Sequence, residues 1–375
     1  MRRVSRLVRV VKISSLVILL VLISAIAFIK FDTAAAAQFT DSVLRPVFGA
    51  RRVIGLEKIF FNLEDQAKQK TLDQSKLQAP VFTDQASLQP GTAGGGRLEL
   101  ASIPINNGFV GLKNEGVWQN RPLAAFPGQE VMAETFTRPD PARAFAIVTL
   151  VQIDSSKIVL GSVAGKKEPA GIVGKPGPGV VPKEIINAGR LIAAFDGGFQ
   201  YRDGQYGMIV GNTVYLPLKD DVGTLVGYTD GSLKIVNYTG QDLGKNVAFV
   251  RQNCPILIDN GTMAVTDPKN KDLWGRTLTA DIYTWRSGLG LTKNGDLLFA
   301  VGNNLTPATL ATALRSAGAV SAIQLDINPS WVRFNVFESI GNGQYRSQPL
   351  TRDLKDGSAQ YLGGYSKDFF YLYRK

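Results

Sequence analysis

The stretch Leu191–Tyr201, LIAAFDGGFQY, organises the rest of this chain. Five apolar residues, Leu191–Phe195, have the length and bounding of a buried strand. Asp196 stands at its carboxyl end, where sheet proteins tend to place groups that handle ligands. Gly197 and Gly198 carry no Cβ, so the backbone can turn sharply there and a ligand can come close to it. An Asp-Gly turn joining two strands would use the same residues.

A second stretch has the same form. Thr306 is a natural N-cap, Pro307 suits the first helical position and Gly318 the residue after the helix. Leu310, Ala313, Leu314 and Ala317 form the buried stripe of the helix between them. The chain then passes directly into Ala319–Leu325, a second apolar strand, and Asp326 ends it. Two strands that each end in an aspartate give the chain a candidate carboxylate pair.

Composition narrows the chemistry. The 375 residues, 45% hydrophobic and 19% charged, describe a globular protein. Histidine is absent, which excludes Ser-His-Asp and Cys-His centres and any His-ligated metal. Cys254 is the only cysteine, so neither an intrachain disulfide nor a thiolate zinc site can form. Acid–base work therefore falls to carboxylates, tyrosine or lysine, and any metal would be a hard, oxygen-ligated one such as calcium or magnesium. Of the +11 net charge, Arg2, Arg3, Arg6, Arg9 and Lys12 supply five, leaving +6 spread without a dense basic run. That spread gives a nucleic-acid partner little support.

The basic residues precede Ile13–Ile29, 17 residues without a charge. This is the lower limit for a membrane-spanning helix, and Lys12 and Lys30 can snorkel to extend it. The charge asymmetry keeps the amino terminus in the cytoplasm and exports the rest. Residues 1–32 are read as cytoplasmic tail and anchor, so the expected location is the cell membrane, single-pass, with an extracytoplasmic domain. Cleavage near Ala34–Ala37, giving a secreted protein, is the alternative. Residues 33–112 are read as a juxtamembrane helix or stalk followed by a Gln-, Pro- and Gly-rich linker.

From 113 to 375 the pattern is strand-rich. Ala144–Ile153, Lys157–Val163, Gly207–Leu216, Thr224–Tyr228, Ser232–Asn237 and Ala248–Gly261 read as strands, with hairpin signals at Asp230-Gly231 and Asn294-Gly295. Pro182–Gly189 reads as one short helix, Gly171–Pro182 as a loop, and Trp331–Lys375 as hairpins ending in an aromatic tail. The expected fold is α+β, a mixed, largely antiparallel β-sheet with few helices.

The order of these pieces resembles the phosphodiester glycosidase family. It rests on Asp196-Gly197-Gly198-Phe199, then Asn253-Cys254-Pro255-Ile256-Leu257, Arg286-Ser287-Gly288-Leu289-Gly290, Asn294-Gly295, Gly302, the Thr306 helix, and Leu325-Asp326-Ile327-Asn328-Pro329-Ser330. It covers about residues 140–340 in the right order. Two positions depart from the family pattern. Asp196 stands where the family has asparagine, and Ile327-Asn328-Pro329 replaces a triglycine whose N–H groups can face an anion.

The resemblance implies a hydrolase that cleaves a sugar-1-phosphodiester, in a cell-surface glycan or glycolipid for an exported chain. It implies Arg286 on the phosphate, with Asp196 and Asp326 dividing water activation and oxocarbenium stabilisation. Gly197, Gly198, Asn328 and Ser330 would complete the substrate contacts, and Trp331 could stack on a sugar. No cofactor is required, although paired carboxylates can also hold calcium between them. Each residue has a plainer use: Arg286 in an ion pair, Asp326 and Ser330 in a turn, Trp331 in the core. A glycan-binding or envelope-assembly protein on the same fold is the non-enzymatic alternative, and Pro329 is the feature that favours it.

Overall fold

The computed structural model describes residues 63, 65–67, 69–83, 89–90, 98–170, 174–275 and 282–375. The proposed anchor over 1–32, and most of the amphipathic stretch 38–70, lie outside them. Among the described residues no helix is long and apolar enough to cross a membrane. Thr71–Arg276 with Ile282–Lys375 makes one compact unit. The described residues of the linker-like segment 71–111 belong to this unit: Phe82, Leu98, Leu100 and Ile103 are buried.

Three sheets build the unit. The largest has nine strands in the order 89–90, 119–120, 132–137, 148–153, 297–305, 284–292, 319–327, 256–259 and 262–263. A second, of five, runs 233–238, 222–228, 247–252, 208–210, 213–216, and a third 344–349, 334–341, 191–196, 369–374, 158–163. Every pairing between these strands is antiparallel, so the sheets are not mixed as expected. The one long helix explains why. Pro307–Ser316 carries the chain from Leu297–Leu305 to Ala319–Ile327, but Thr284–Thr292 lies between those two strands and pairs with both. A crossover that looks like a parallel unit in sequence thus leaves an antiparallel sheet.

Helix Pro307–Ser316 forms as its sequence dictates. Thr306 accepts a hydrogen bond from the Thr309 N–H, Thr309 completes the capping box, and Gly318 takes φ +96°. Its buried face, Leu310, Ala311, Ala313 and Leu314, lies on the strand Thr284–Thr292. Gly288 and Gly290 make that fit possible. A Cβ on Gly288 would sit 3.1 Å from both Leu310 and Leu314 side-chain carbons, close enough that the helix side chains would have to give way.

The opposite face of the large sheet buries the main core against the two smaller sheets. Phe195 marks the seam. Its ring stacks on Phe334 of its own sheet at 5.4 Å and meets Phe299 of the large sheet at 5.1 Å. The strand Leu191–Asp196 is buried throughout, as its apolar run requires. Asp196 follows Phe195 and is carried to the place where two sheets meet.

One expected strand divides. Ala248–Gly261 breaks into Val247–Gln252 in the second sheet and Ile256–Asp259 in the large sheet. The break falls at Asn253-Cys254-Pro255, where Cys254 takes φ +52° and is fully buried. The aromatic tail becomes Phe369–Arg374, which fills the gap between Leu191–Asp196 and Ile158–Val163. The expected helix near 182–189 spans Lys183–Asn187.

Candidate active site

Asp196 and Asp326 are brought together. The Asp326 N–H donates to Asp196 Oδ2 at 3.2 Å, the Ser287 hydroxyl to the same oxygen at 2.5 Å, and the Arg333 N–H to Oδ1 at 2.9 Å. A slip in strand register makes this contact. Arg286 faces Ile327 and Gly288 faces Gln324, so Leu325 and Asp326 together oppose Ser287. Such a bulge turns a side chain away from strict alternation. It aims Asp326 to the Ser287 side of the sheet rather than to the side of Gln324.

Both carboxyls are almost wholly buried, at 2% and 3% exposure. Burial, and after it the neighbouring Asp326 carboxylate, pushes Asp196 up to about 7, although three hydrogen bonds favour its anion. Burial pushes Asp326 up to about 6 against the pull of the Lys367 ammonium, which hydrogen-bonds Asp326 Oδ2. Lys367 Nζ also lies 4.7 Å from the centroid of Trp331. A carboxyl group raised toward neutrality can exchange a proton with water at neutral pH.

Arg286 does not join them. It lies on the helix side of its strand, one residue from Ser287 and pointing the other way. Its guanidinium donates to the carbonyls of Leu305, Trp274 and Ile282 and to the Gln324 side chain. This engagement ties together the strand, the Trp274 segment and the loop before the helix.

Gly197 and Gly198 serve close packing. A Cβ on Gly197 would lie 2.2 Å from Asp368 Oδ2, and one on Gly198 2.5 Å from Arg251 Nη2. Arg251 and Asp368 form a buried ion pair, and Asp368 also accepts from the Gly198 N–H at 2.9 Å. Arg251 caps the Phe199 carbonyl, and Asn253 accepts from the Phe199 N–H. The turn after Asp196 is therefore gripped from three sides.

The loop Ile327–Trp331 follows Asp326 directly. Asn328 adopts φ +77° and donates its N–H to the Trp285 carbonyl, the Ile327 N–H is spent on Asp326 Oδ1, and Pro329 has none. This segment offers no row of free N–H groups to an anion. Ser330 is half-buried, and its carbonyl accepts from Arg333.

Sequence reasoning missed Ser287 as a partner of Asp196, and missed Lys367, Asp368, Arg251 and Arg333. Arg333 carried a readable signal, an arginine immediately before the apolar strand start Phe334. Among the described residues no three carboxylate, histidine or cysteine side chains gather as a metal site, and the counter-charge beside Asp326 is Lys367. The donor set does not fit a calcium cage.

An open cavity of about 480 Å³ lies elsewhere, between Phe145, Thr149, Trp285, Asn304 and Arg352. None of the candidate residues lines it.

Comparison with known proteins gives one family match. Residues 189–326 match the family model described as phosphodiester glycosidase. The span begins just before Leu191 and ends on Asp326, so both aspartates fall inside it, whereas Asn328, Ser330, Arg333 and Lys367 fall outside. No curated protein matches the chain. Among solved structures it is similar to the catalytic domain of zebrafish N-acetylglucosamine-1-phosphodiester alpha-N-acetylglucosaminidase, auto-inhibited by its pro-peptide. Identity is 13% and the TM-score 0.41, over 69% of this chain and 88% of that one. A hypothetical protein from Synechocystis is similar at 13% identity and a TM-score of 0.31, over 69% and 62% of the two chains. These overlaps are too loose to transfer residue roles.

Proposed function

From a chain whose residues 189–326 match the phosphodiester glycosidase family, we propose a hydrolase that cleaves a sugar-1-phosphodiester between the anomeric carbon and its oxygen. The observation that carries this reading is the buried contact between Asp196 and Asp326. The leaving group is a phosphate monoester, already a stable anion, so the site must chiefly stabilise positive charge on the sugar and accept one proton from water.

The two carboxylates divide that work. Asp326, paired with the Lys367 ammonium, is held as the anion and faces the oxocarbenium charge. Asp196, titrating at about 7, takes the proton of the attacking water. The C1–O bond breaks with its electron pair going to the phosphate oxygen, and the water oxygen forms the new C1–O bond. Products are a reducing sugar and a phosphate monoester. The chain around the pair must shift to admit substrate, because both carboxyls are buried.

The amino-terminal sequence supports an extracytoplasmic location: five basic residues precede an uncharged apolar run. A cell-surface glycan or glycolipid is then the accessible substrate class, with the chain held by a single-pass anchor.

A binding protein on the same fold is the second reading. The burial of both carboxyls and the stiff Pro329 beside Asp326 favour it, since a closed, rigid site hinders turnover. Incubation of the full chain with a panel of sugar-1-phosphodiesters, with Asp326→Asn alongside, decides between them. Reducing sugar released by the parent and lost in the variant supports the glycosidase. Sugar phosphate released instead would mean that the other P–O bond is cut. Binding without any product, unchanged in Asp326→Asn, supports the binding protein.

A further inference from the structure

Beside the carboxylate pair, on the face covered by the short helix Ser358–Gly363, two buried polar atoms have no hydrogen-bond partner among the described residues: Arg333 Nε and Tyr361 Oη. Arg333 is 8% exposed and Tyr361 is fully buried. A buried donor left unpaired is costly, and of the several such polar atoms among the described residues these two lie together beside Asp196, which points to a ligand that completes them.

The two groups belong to one cluster. The Arg333 guanidinium lies 5.7 Å from the Tyr365 ring centroid, and Tyr365 meets Tyr361 edge-on at 6.0 Å. Asp196, Arg333 and Asp326 all act electrostatically on the Tyr361 hydroxyl. The main-chain N–H of Arg333 is itself a partner of Asp196. Arg333 Nη1 is taken by Gln360 and Nη2 donates to the Ser330 carbonyl at 3.1 Å. Those contacts, with a further hydrogen bond to the Tyr365 side chain, hold the guanidinium and leave its Nε–H without a partner among the described residues. This is the edge that arginine uses, with one Nη, to hold an oxyanion through two parallel hydrogen bonds.

We propose that Arg333 and Tyr361 form an oxyanion-binding subsite beside Asp196, which takes the phosphate group of the substrate. The inference rests on the phosphodiester reading above and assigns to Arg333 the role that the sequence resemblance implied for Arg286. It also accounts for the replaced triglycine. Ile327-Asn328-Pro329 offers no free N–H groups, and a fixed guanidinium supplies the charge-assisted donors that such a loop would have given.

The test uses the full chain and inorganic phosphate as probe, followed by calorimetry, with Arg333→Lys and Tyr361→Phe. Lysine keeps the charge and loses the fork, so phosphate affinity should fall about 10-fold or more. Tyr361→Phe removes a hydroxyl that lacks a partner without ligand. It should raise the ligand-free melting temperature and yet weaken phosphate binding, a pair of opposite signs that a structural role would not produce. Failure of the parent to bind phosphate, or equal binding by all three proteins, overturns the subsite. Failure of the two readings is distinguishable. Sugar-1-phosphodiester cleavage with unchanged KM in Arg333→Lys keeps the glycosidase and removes the subsite. Phosphate binding that depends on Arg333, without cleavage of any phosphodiester, keeps the subsite and removes the glycosidase.

Discussion

The hydroxyl of Ser287 lies 2.5 Å from Asp196 Oδ2 and 3.1 Å from the main-chain carbonyl oxygen of Asp326. Its single proton serves one of them at a time. When Asp196 is ionised the hydroxyl donates to it. When Asp196 is protonated, the acid can donate to Ser287 Oγ, and the serine turns its proton to the Asp326 carbonyl. A proton is thus gained or lost at Asp196 without moving a heavy atom.

Ser287→Ala tests this switch. The Ser287 hydrogen bond holds Asp196 down, so its removal raises the Asp196 pKa further above about 7. The ionisation that limits kcat/KM moves to higher pH, and activity at neutral pH falls by roughly 10-fold, within the range for general-base effects. A pH–rate profile reads the change directly; an unmoved profile would remove Ser287 from the mechanism.

Asp196 also sets a pH dependence of stability. Its pKa in the folded protein is raised to about 7 from an ordinary 3.8, so the folded state binds the proton more tightly than the unfolded one. The stabilisation is complete below about pH 4 and is lost as pH rises through 7. Each tenfold difference in proton affinity is worth about 1.4 kcal/mol, so the loss across that window is on the order of 4 kcal/mol. Asp196→Asn, which restores the residue of the family pattern, should flatten this slope in thermal or urea unfolding followed from pH 4 to 8.

Lys367→Met should destabilise the fold at neutral pH. Removing one partner of a buried ion pair leaves an uncompensated charge, at a cost of about 3–5 kcal/mol. Here Asp326 partly escapes by taking up a proton, so the cost should shrink as pH falls toward 5. Equilibrium unfolding of variant and parent at pH 5 and pH 8 checks the difference, which should be larger at pH 8.

Gly198→Ala places a methyl group 2.5 Å from Arg251 Nη2. The guanidinium has no room to retreat, because it is tied to Asp368, Phe199, Tyr206 and Gln252. Destabilisation of about 2–3 kcal/mol, the range for overpacking a dense interior, should appear as a lower urea midpoint. Gly211→Ala is the control for lost glycine alone. Its Cβ meets nothing within 4 Å, although its φ of +54° still carries some strain.

Arg286→Lys should lower stability and leave phosphate affinity unchanged in calorimetry, the reverse of the pattern expected for Arg333→Lys. Its contacts are with the carbonyls of Leu305, Trp274 and Ile282 and with Gln324, and lysine cannot span them all.

Much of the fold was legible because local signals agreed. The caps of Pro307–Ser316, the turns at Gly231 and Gly295, and the apolar runs ending at Asp196 and Asp326 each have a short-range cause. The site was only half legible. Arg286 and Ser287 are neighbours in sequence, but a strand sends them to opposite faces, and the resemblance drew attention to the charged one. Strict alternation puts Asp326 on the same face as Gln324, and only the bulge opposite Ser287 reverses it. Lys367 and Asp368 could not be found by spacing, because tertiary pairing alone inserts Phe369–Arg374 beside Leu191–Asp196.

That insertion sets the order in which the protein can become competent. Lys367 is translated 41 residues after the Asp326 it neutralises, and Asp368 170 residues after the Gly198 it fastens. Until residues 367–374 have emerged from the ribosome, the third sheet lacks an interior strand and the two acids have no ammonium beside them. A nascent chain exposed before that moment carries an unfilled hydrophobic slot between Leu191–Asp196 and Ile158–Val163. A chain stalled short of residue 367 therefore has no assembled site.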